Sequence, residues 1–160
     1  MINIIEDSIF NSTEQYIAHQ CNSISHGAGG LAYSLFRQYP YANIYSNRTG
    51  PDTPGDILIK GNGLDQRYVI NMIGQYYPGC GSKISHANDK FPDGADDRKG
   101  YFQQCLDRIA LIDNLESIAF PYKIGCDLAG GDWNVYSEML ENFTERLKDK
   151  VKVVIFKYEP

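Results

Sequence analysis

The 160-residue chain is short of several things, and each shortage removes a class of function. Basic residues are few: 15 Lys and Arg against 20 Asp and Glu leave a formal charge of −5 and a pI near 5.1. Such a field repels polyanions, so binding along a nucleic-acid backbone, which needs many Lys and Arg to neutralise phosphates, is not expected. No apolar run approaches the roughly 20 residues of a membrane span. The opening Met1-Ile2-Asn3-Ile4-Ile5-Glu6 lacks the basic region and long apolar stretch of a secretion signal. The four cysteines (Cys21, Cys80, Cys105, Cys126) are scattered with no Cys-x-x-Cys pair, so reduced thiols in a cytoplasmic, monomeric protein are expected. His19 and Cys21 share a strand face, but two ligands without further clustering fall short of a metal site, and none is expected. Repeats, low-complexity tracts and linkers are also missing, which leaves one domain over 1–160.

What is present is an average globular composition, 42% hydrophobic and 22% charged, with 15 Gly and 12 Tyr as a mild excess. Strand-like and helix-like patterns alternate. Residues 2–5 are a short apolar run, 16–21 read as a strand, and 31–39 as a helix that Pro40 must end. Segments 56–60 and 67–73 flank a glycine-containing loop and read as two antiparallel strands. Phe102, Leu106, Ile109 and Ile112 mark a helix over 97–112. Segment 117–120 is a strand, and Val135, Met139, Phe143 and Leu147 mark one face of a final helix. Segment 151–156 closes the chain as a buried strand. The pattern predicts an α/β sandwich, three layers around a mixed central sheet. Residues 74–96 have no convincing period and carry Tyr76, Tyr77, His86 and Phe91, which suggests a partly ordered loop covering something.

Two segments concentrate the chemistry. One runs from Asn22 through His26, Gly27, Gly29 and Gly30 into the helix beginning near Leu31. The other runs from Lys123 through Gly125, Cys126, Gly130, Gly131 and Asp132 to Trp133. Each is a strand, a glycine-rich turn and a helix N-terminus, an arrangement that aims backbone N–H groups and the positive end of a helix dipole at one spot. Two such loops suggest a diphosphate held from both sides, which amide dipoles can do in a protein of net negative charge. Tight αβ turns with no ligand would carry the same glycines.

The residues themselves resemble a known family. Tyr16-Ile17-Ala18-His19-Gln20-Cys21-Asn22, His26-Gly27-Ala28-Gly29-Gly30-Leu31-Ala32, Phe120-Pro121-Tyr122-Lys123-Ile124-Gly125-Cys126 and Gly130-Gly131-Asp132-Trp133 together resemble a macrodomain. The similarity is to the branch of terminal ADP-ribose glycohydrolases and ADP-ribose 1″-phosphate phosphatases. The resemblance implies that ADP-ribose or an ADP-ribosylated substrate is the partner, with no separate cofactor. It implies that Asn22 lies near the distal ribose, that Gly27, Gly29 and Gly30 line one phosphate wall, and that Gly125, Cys126, Gly130 and Gly131 line the other. It further implies an acidic contact to adenine at Asp7, one position from the best register at Ser8, and an aromatic packed on adenine at Phe156 or Tyr158.

Where that branch uses a lysine and an aspartate, this chain reads Gln75 and Ala129. Neither can serve as nucleophile or base. The ionisable residues left near the distal ribose are His26, which can shuttle a proton, and Asp132, which can orient it or activate water. An Asp just before a helix is also a favoured N-cap. Cys126 reads as a nucleophile or as inert packing. Three readings remain open: a hydrolase of ADP-ribosyl conjugates or ADP-ribose 1″-phosphate, a non-catalytic reader of ADP-ribose, and an unrelated α/β protein holding another phosphate-bearing cofactor such as a flavin.

Overall fold

The computed structural model describes residues 2–80 and 90–158. Among them, six strands form one sheet in the order β1-β6-β5-β2-β4-β3, built from β1 (Asn3–Glu6), β2 (Tyr16–Asn22), β3 (Ile57–Lys60), β4 (Tyr68–Gln75), β5 (Ser117–Pro121) and β6 (Lys152–Lys157). All neighbours are parallel except the edge pair β3–β4, which is antiparallel, so the sheet is mixed as expected. Among the described residues, three α-helices accompany the sheet: α1 (Gly30–Gln38), α2 (Ala95–Ile109) and α3 (Trp133–Leu147). No helix among the described residues is long and apolar enough to cross a membrane.

The alternation of side chains along the central strands divides the core in two. On one face Ile17 and Cys21 of β2, Val69 and Ile73 of β4, and Val154 and Phe156 of β6 pack against Leu35 and Phe36 of α1. On the other, Tyr16 and Ala18, Ile70 and Met72, and Phe120 meet Phe102 and Leu106 of α2 and Leu140 and Phe143 of α3. Burying each large side chain contributes roughly 1.5–3 kcal/mol. Phe102, Phe120 and Phe143 are fully enclosed, with Phe120 and Phe143 meeting edge-on.

Several boundaries differ from the sequence expectation, and two of the differences bear on the core and the cleft. The second helix ends at Ile109 rather than 112, because the chain turns there with Leu111 N bonded to Arg108 O. Ile112 reaches the core from that turn, so the apolar period outlasts the helix. The strand over 67–73 continues to Gln75, so the irregular segment begins at Tyr76. His86 lies outside the described residues. Of the others in that segment, Tyr76 stacks on Phe91 with ring centroids 5.7 Å apart.

The connections place the site. The chain leaves β2 through α1 toward β3 and β4, and leaves β5 through α3 toward β6, on the opposite side. β2 and β5 are adjacent, so a crevice opens between them at their carboxyl ends, where open α/β sheets hold ligands.

Candidate functional site

A cleft of about 310 Å³ occupies that crevice. Its floor is His19 to Asn22 of β2, Gln75 of β4 and Pro121 of β5. One wall is Ser25, Gly27, Gly29 and the first turn of α1 (Gly30, Leu31, Ala32), and the other is Tyr122 through Ala129. Tyr45, Pro78 and Gly79 complete the lining.

The first wall is folded by side chains. Asn22 Oδ1 accepts from the backbone N–H of Ile24 (3.1 Å) and Ser25 (2.8 Å), and the Asn22 N–H donates to Tyr45 Oη at 2.9 Å. Arg48, its side chain only 3% exposed, donates to Ser25 O and Asn22 O (3.0 Å each) and pairs with Asp52 at 2.8 Å. The loop's carbonyls are thus held from behind. α1 then begins on Gly29 with no side-chain cap, leaving first-turn N–H groups without an intrahelical partner facing the cleft. This is the amide-dipole arrangement suited to an anion.

The second wall is folded by its own backbone. Gly130 N donates to Asp127 O and Gly131 N to Gly125 O, both at 3.1 Å. Gly125 sits at φ +78°, where a Cβ would come within 2.6 Å of the Tyr136 ring, so this position requires glycine. Leu128 reaches across the cleft mouth toward the first wall: a Cβ on Gly30 would lie 3.2 Å from its Cδ1. Trp133 packs edge-on against Tyr122, centroids 4.9 Å apart, tying the loop to the end of β5.

Of the residues singled out in the sequence, Asn22, Gly27, Gly29, Gly30, Gly125 and Cys126 line this cleft. Gly130 and Gly131 do not line it but shape the loop that does. His26 and Asp132 are exposed and outside the lining. Asp132 is the N-cap of α3, its Oδ1 accepting from Asn134 N at 2.9 Å, so only one of the two helix N-termini opens on the cleft. Asp7 lies apart, in a second hollow of about 340 Å³ lined by Glu6, Asp7, Lys157 and Tyr158. Phe156 is buried beneath α1, and the aromatic at that hollow is Tyr158.

Burial governs His19, Cys21 and Cys126 in the cleft. Burial pushes the His19 imidazole down to about 4, against the opposing effect of its hydrogen bond to Asn71. Burial raises the Cys21 thiol to about 12. Burial, with Asp127 and Asp132 adding to it, holds the Cys126 thiol near 12 as well, far from the depressed range of a reactive cysteine. Gln75 is fully engaged, accepting from Gln20 Nε2 at 2.6 Å and donating to Tyr77 O at 2.8 Å. His19 and Cys21 lie side by side, 3.5 Å from Nε2 to Sγ, and among the described residues no group of three or more His, Cys, Asp or Glu could hold a metal ion.

Sequence reasoning missed Tyr45, Arg48 and the Gln20–Gln75 amide pair. Tyr45 follows Asn22 by 23 positions and Gln75 follows Gln20 by 55, so no local pattern announces either contact.

No family profile and no curated protein matches the sequence. Solved structures do resemble the fold. The macrodomain of Mycobacterium tuberculosis DarG is 20% identical at a TM-score of 0.75, over 100% of this chain and 98% of that one. A protein of unknown function from Bacteroides thetaiotaomicron is 24% identical at 0.70, over 98% of both chains. The Trypanosoma brucei macrodomain, solved in complex with ADP-ribose, is 16% identical at 0.66, over 98% of this chain and 63% of its own. In strand content, helix content and overall course, this chain has the macrodomain fold.

Proposed function

We propose that this protein binds ADP-ribose, or the ADP-ribosyl group of a conjugate, in the cleft between β2 and β5. The observation that carries the reading is the pair of unlike walls meeting over the carboxyl ends of the sheet, one of them an uncapped helix N-terminus. The diphosphate fits between Gly27 to Ala32 and Gly125 to Ala129. Asn22 spends its Oδ1 on the loop, which leaves Nδ2 for a hydroxyl of the distal ribose. The hollow at Glu6, Asp7 and Tyr158 suits the adenine, with a carboxylate to accept from the amino group and a ring to pack on the base. Support also comes from the T. brucei macrodomain of the same fold, solved with ADP-ribose and with ADP.

Binding without turnover is the reading the side chains favour. Gln75 and Ala129 offer no nucleophile or base, and the cleft's thiols are held in their protonated form. The hydrolase reading rests on His26 and Asp132 at the cleft's margin acting on an ADP-ribosyl ester or on ADP-ribose 1″-phosphate. Incubating the protein with both substrate types separates the two. No product, together with calorimetric binding of ADP-ribose, supports the binding module. Turnover abolished by Asp132→Ala or His26→Ala supports the hydrolase, and turnover unaffected by either removes those two residues from the chemistry.

A further inference from the structure

An ion pair is buried beside the cleft, and nothing in the binding reading uses it. The side chains of Asp93 and Arg98 are 0% and 4% exposed, with Arg98 Nη2 2.6 Å from Asp93 Oδ2 and Nε 3.1 Å from Oδ1. Each buried ion loses several kcal/mol of hydration, and apolar replacements of the same volume often serve stability as well or better. The pair's remaining hydrogen bonds say what it is for. Asp93 accepts from the backbone N–H of Tyr76 (2.8 Å) and Tyr77 (2.9 Å). Arg98 donates from Nη2 to Tyr77 O at 3.1 Å, and from Nη1 to both Gly79 O (2.6 Å) and Ala129 O (3.2 Å). Gly79 and Ala129 both line the cleft, and they come from segments that share no strand or helix.

We propose that Arg98, seated on Asp93, is a positioning residue that locks the segment leaving β4 to the second glycine loop, setting the width of the anion cleft. The proposal rests on the ADP-ribose reading above. The physical need is plain: the second wall is closed by its own backbone bonds, and at its cleft-side end Ala129 O accepts from a guanidinium nitrogen that lies outside the loop. A planar fork reaches three carbonyls and a carboxylate at once, which a point-charge ammonium cannot do.

The test is Arg98→Lys, measured by calorimetric titration with ADP-ribose and by amide hydrogen exchange. The expected result is an affinity roughly tenfold weaker than wild type, with exchange faster at residues 125–131 and unchanged at the central amides of β2 and β4. Affinity within twofold of wild type would overturn the proposal. So would weaker binding with exchange accelerated equally in the central strands, because that is a general loss of stability. If Arg98→Lys does not fold, Asp93→Asn is measured the same way against the same outcomes. A wild-type protein that fails to bind ADP-ribose sinks the earlier reading itself, and the positioning role with it.

Discussion

The two glycine-rich loops begin alike, each leaving a central parallel strand and entering a helix, yet they are held by opposite means. The first is pinned by side chains, Asn22 from within and Tyr45 and Arg48 from the segment that follows α1. Its helix start is left uncapped. The second folds on its own backbone through glycines, caps its helix with Asp132, and is tied to a distant segment by Arg98. The difference teaches that a glycine-rich turn before a helix does not by itself make an anion site. What matters is whether the first-turn amides are left unpaired, and of these two helices α1 meets that condition at the cleft while α3 does not.

Substitutions can break that contrast. The largest effect is expected for Gly125→Ala, which forces a side chain into the left-handed region and against the Tyr136 ring. It should cost about 3 kcal/mol and lower the melting temperature by on the order of 10 °C. Next, Asn22→Ala removes the acceptor of two loop amides, for a loss of about 1–2 kcal/mol. ADP-ribose binding, measured by calorimetry, should weaken by about tenfold in that variant, since the first wall loses its shape. A wild-type affinity there would mean that the first wall is not pinned by Asn22.

His19, packed edge-on to Phe36 beneath the first wall, supplies a pH test. Its folded-state value of about 4 lies below the ordinary 6.5, so the unfolded chain takes up the proton first. Its contribution to stability is therefore complete above pH 6.5 and is lost as the pH falls from there toward 4. A series of melting curves over that window should show a decline that His19→Gln flattens. Smaller still is Asp132→Ala, which removes one helix cap and should cost about 1 kcal/mol, a melting shift of a few degrees. At the bottom is Gly27→Ala: nothing lies within 4 Å of a Cβ there, so stability should stay within about 0.5 kcal/mol of wild type. Glycines of the two loops thus separate into a position that needs glycine for the fold and one where the fold leaves room for a side chain.

Local patterns carried much of the architecture. The apolar run of 151–156, the period of Val135 to Leu147 and the glycine loops each mark an element that is present, because their information lies within a few residues. The cleft was legible where it is backbone, at Gly27, Gly29, Gly30 and Gly125. It was not legible where it depends on contacts across the chain. Tyr45, Arg48 and the Asp93–Arg98 pair are ordinary residues in sequence and gain their roles only when the sheet brings distant segments together. The tyrosine excess is explained in part the same way: Tyr16 stacks on Tyr68 with centroids 4.6 Å apart, Tyr41 bonds Arg67 O, and Tyr45 holds Asn22. For Phe156 the alternation within its own strand was the missed signal, since it shares a face with Val154 in the core under α1.

The most direct test of the central claim is calorimetric titration of the wild-type protein with ADP-ribose. Saturable one-to-one binding that ADP competes away is the predicted result. No heat and no displacement with ligand on the order of 1 mM would contradict it, and would leave the two walls as turns of a fold with no diphosphate to hold.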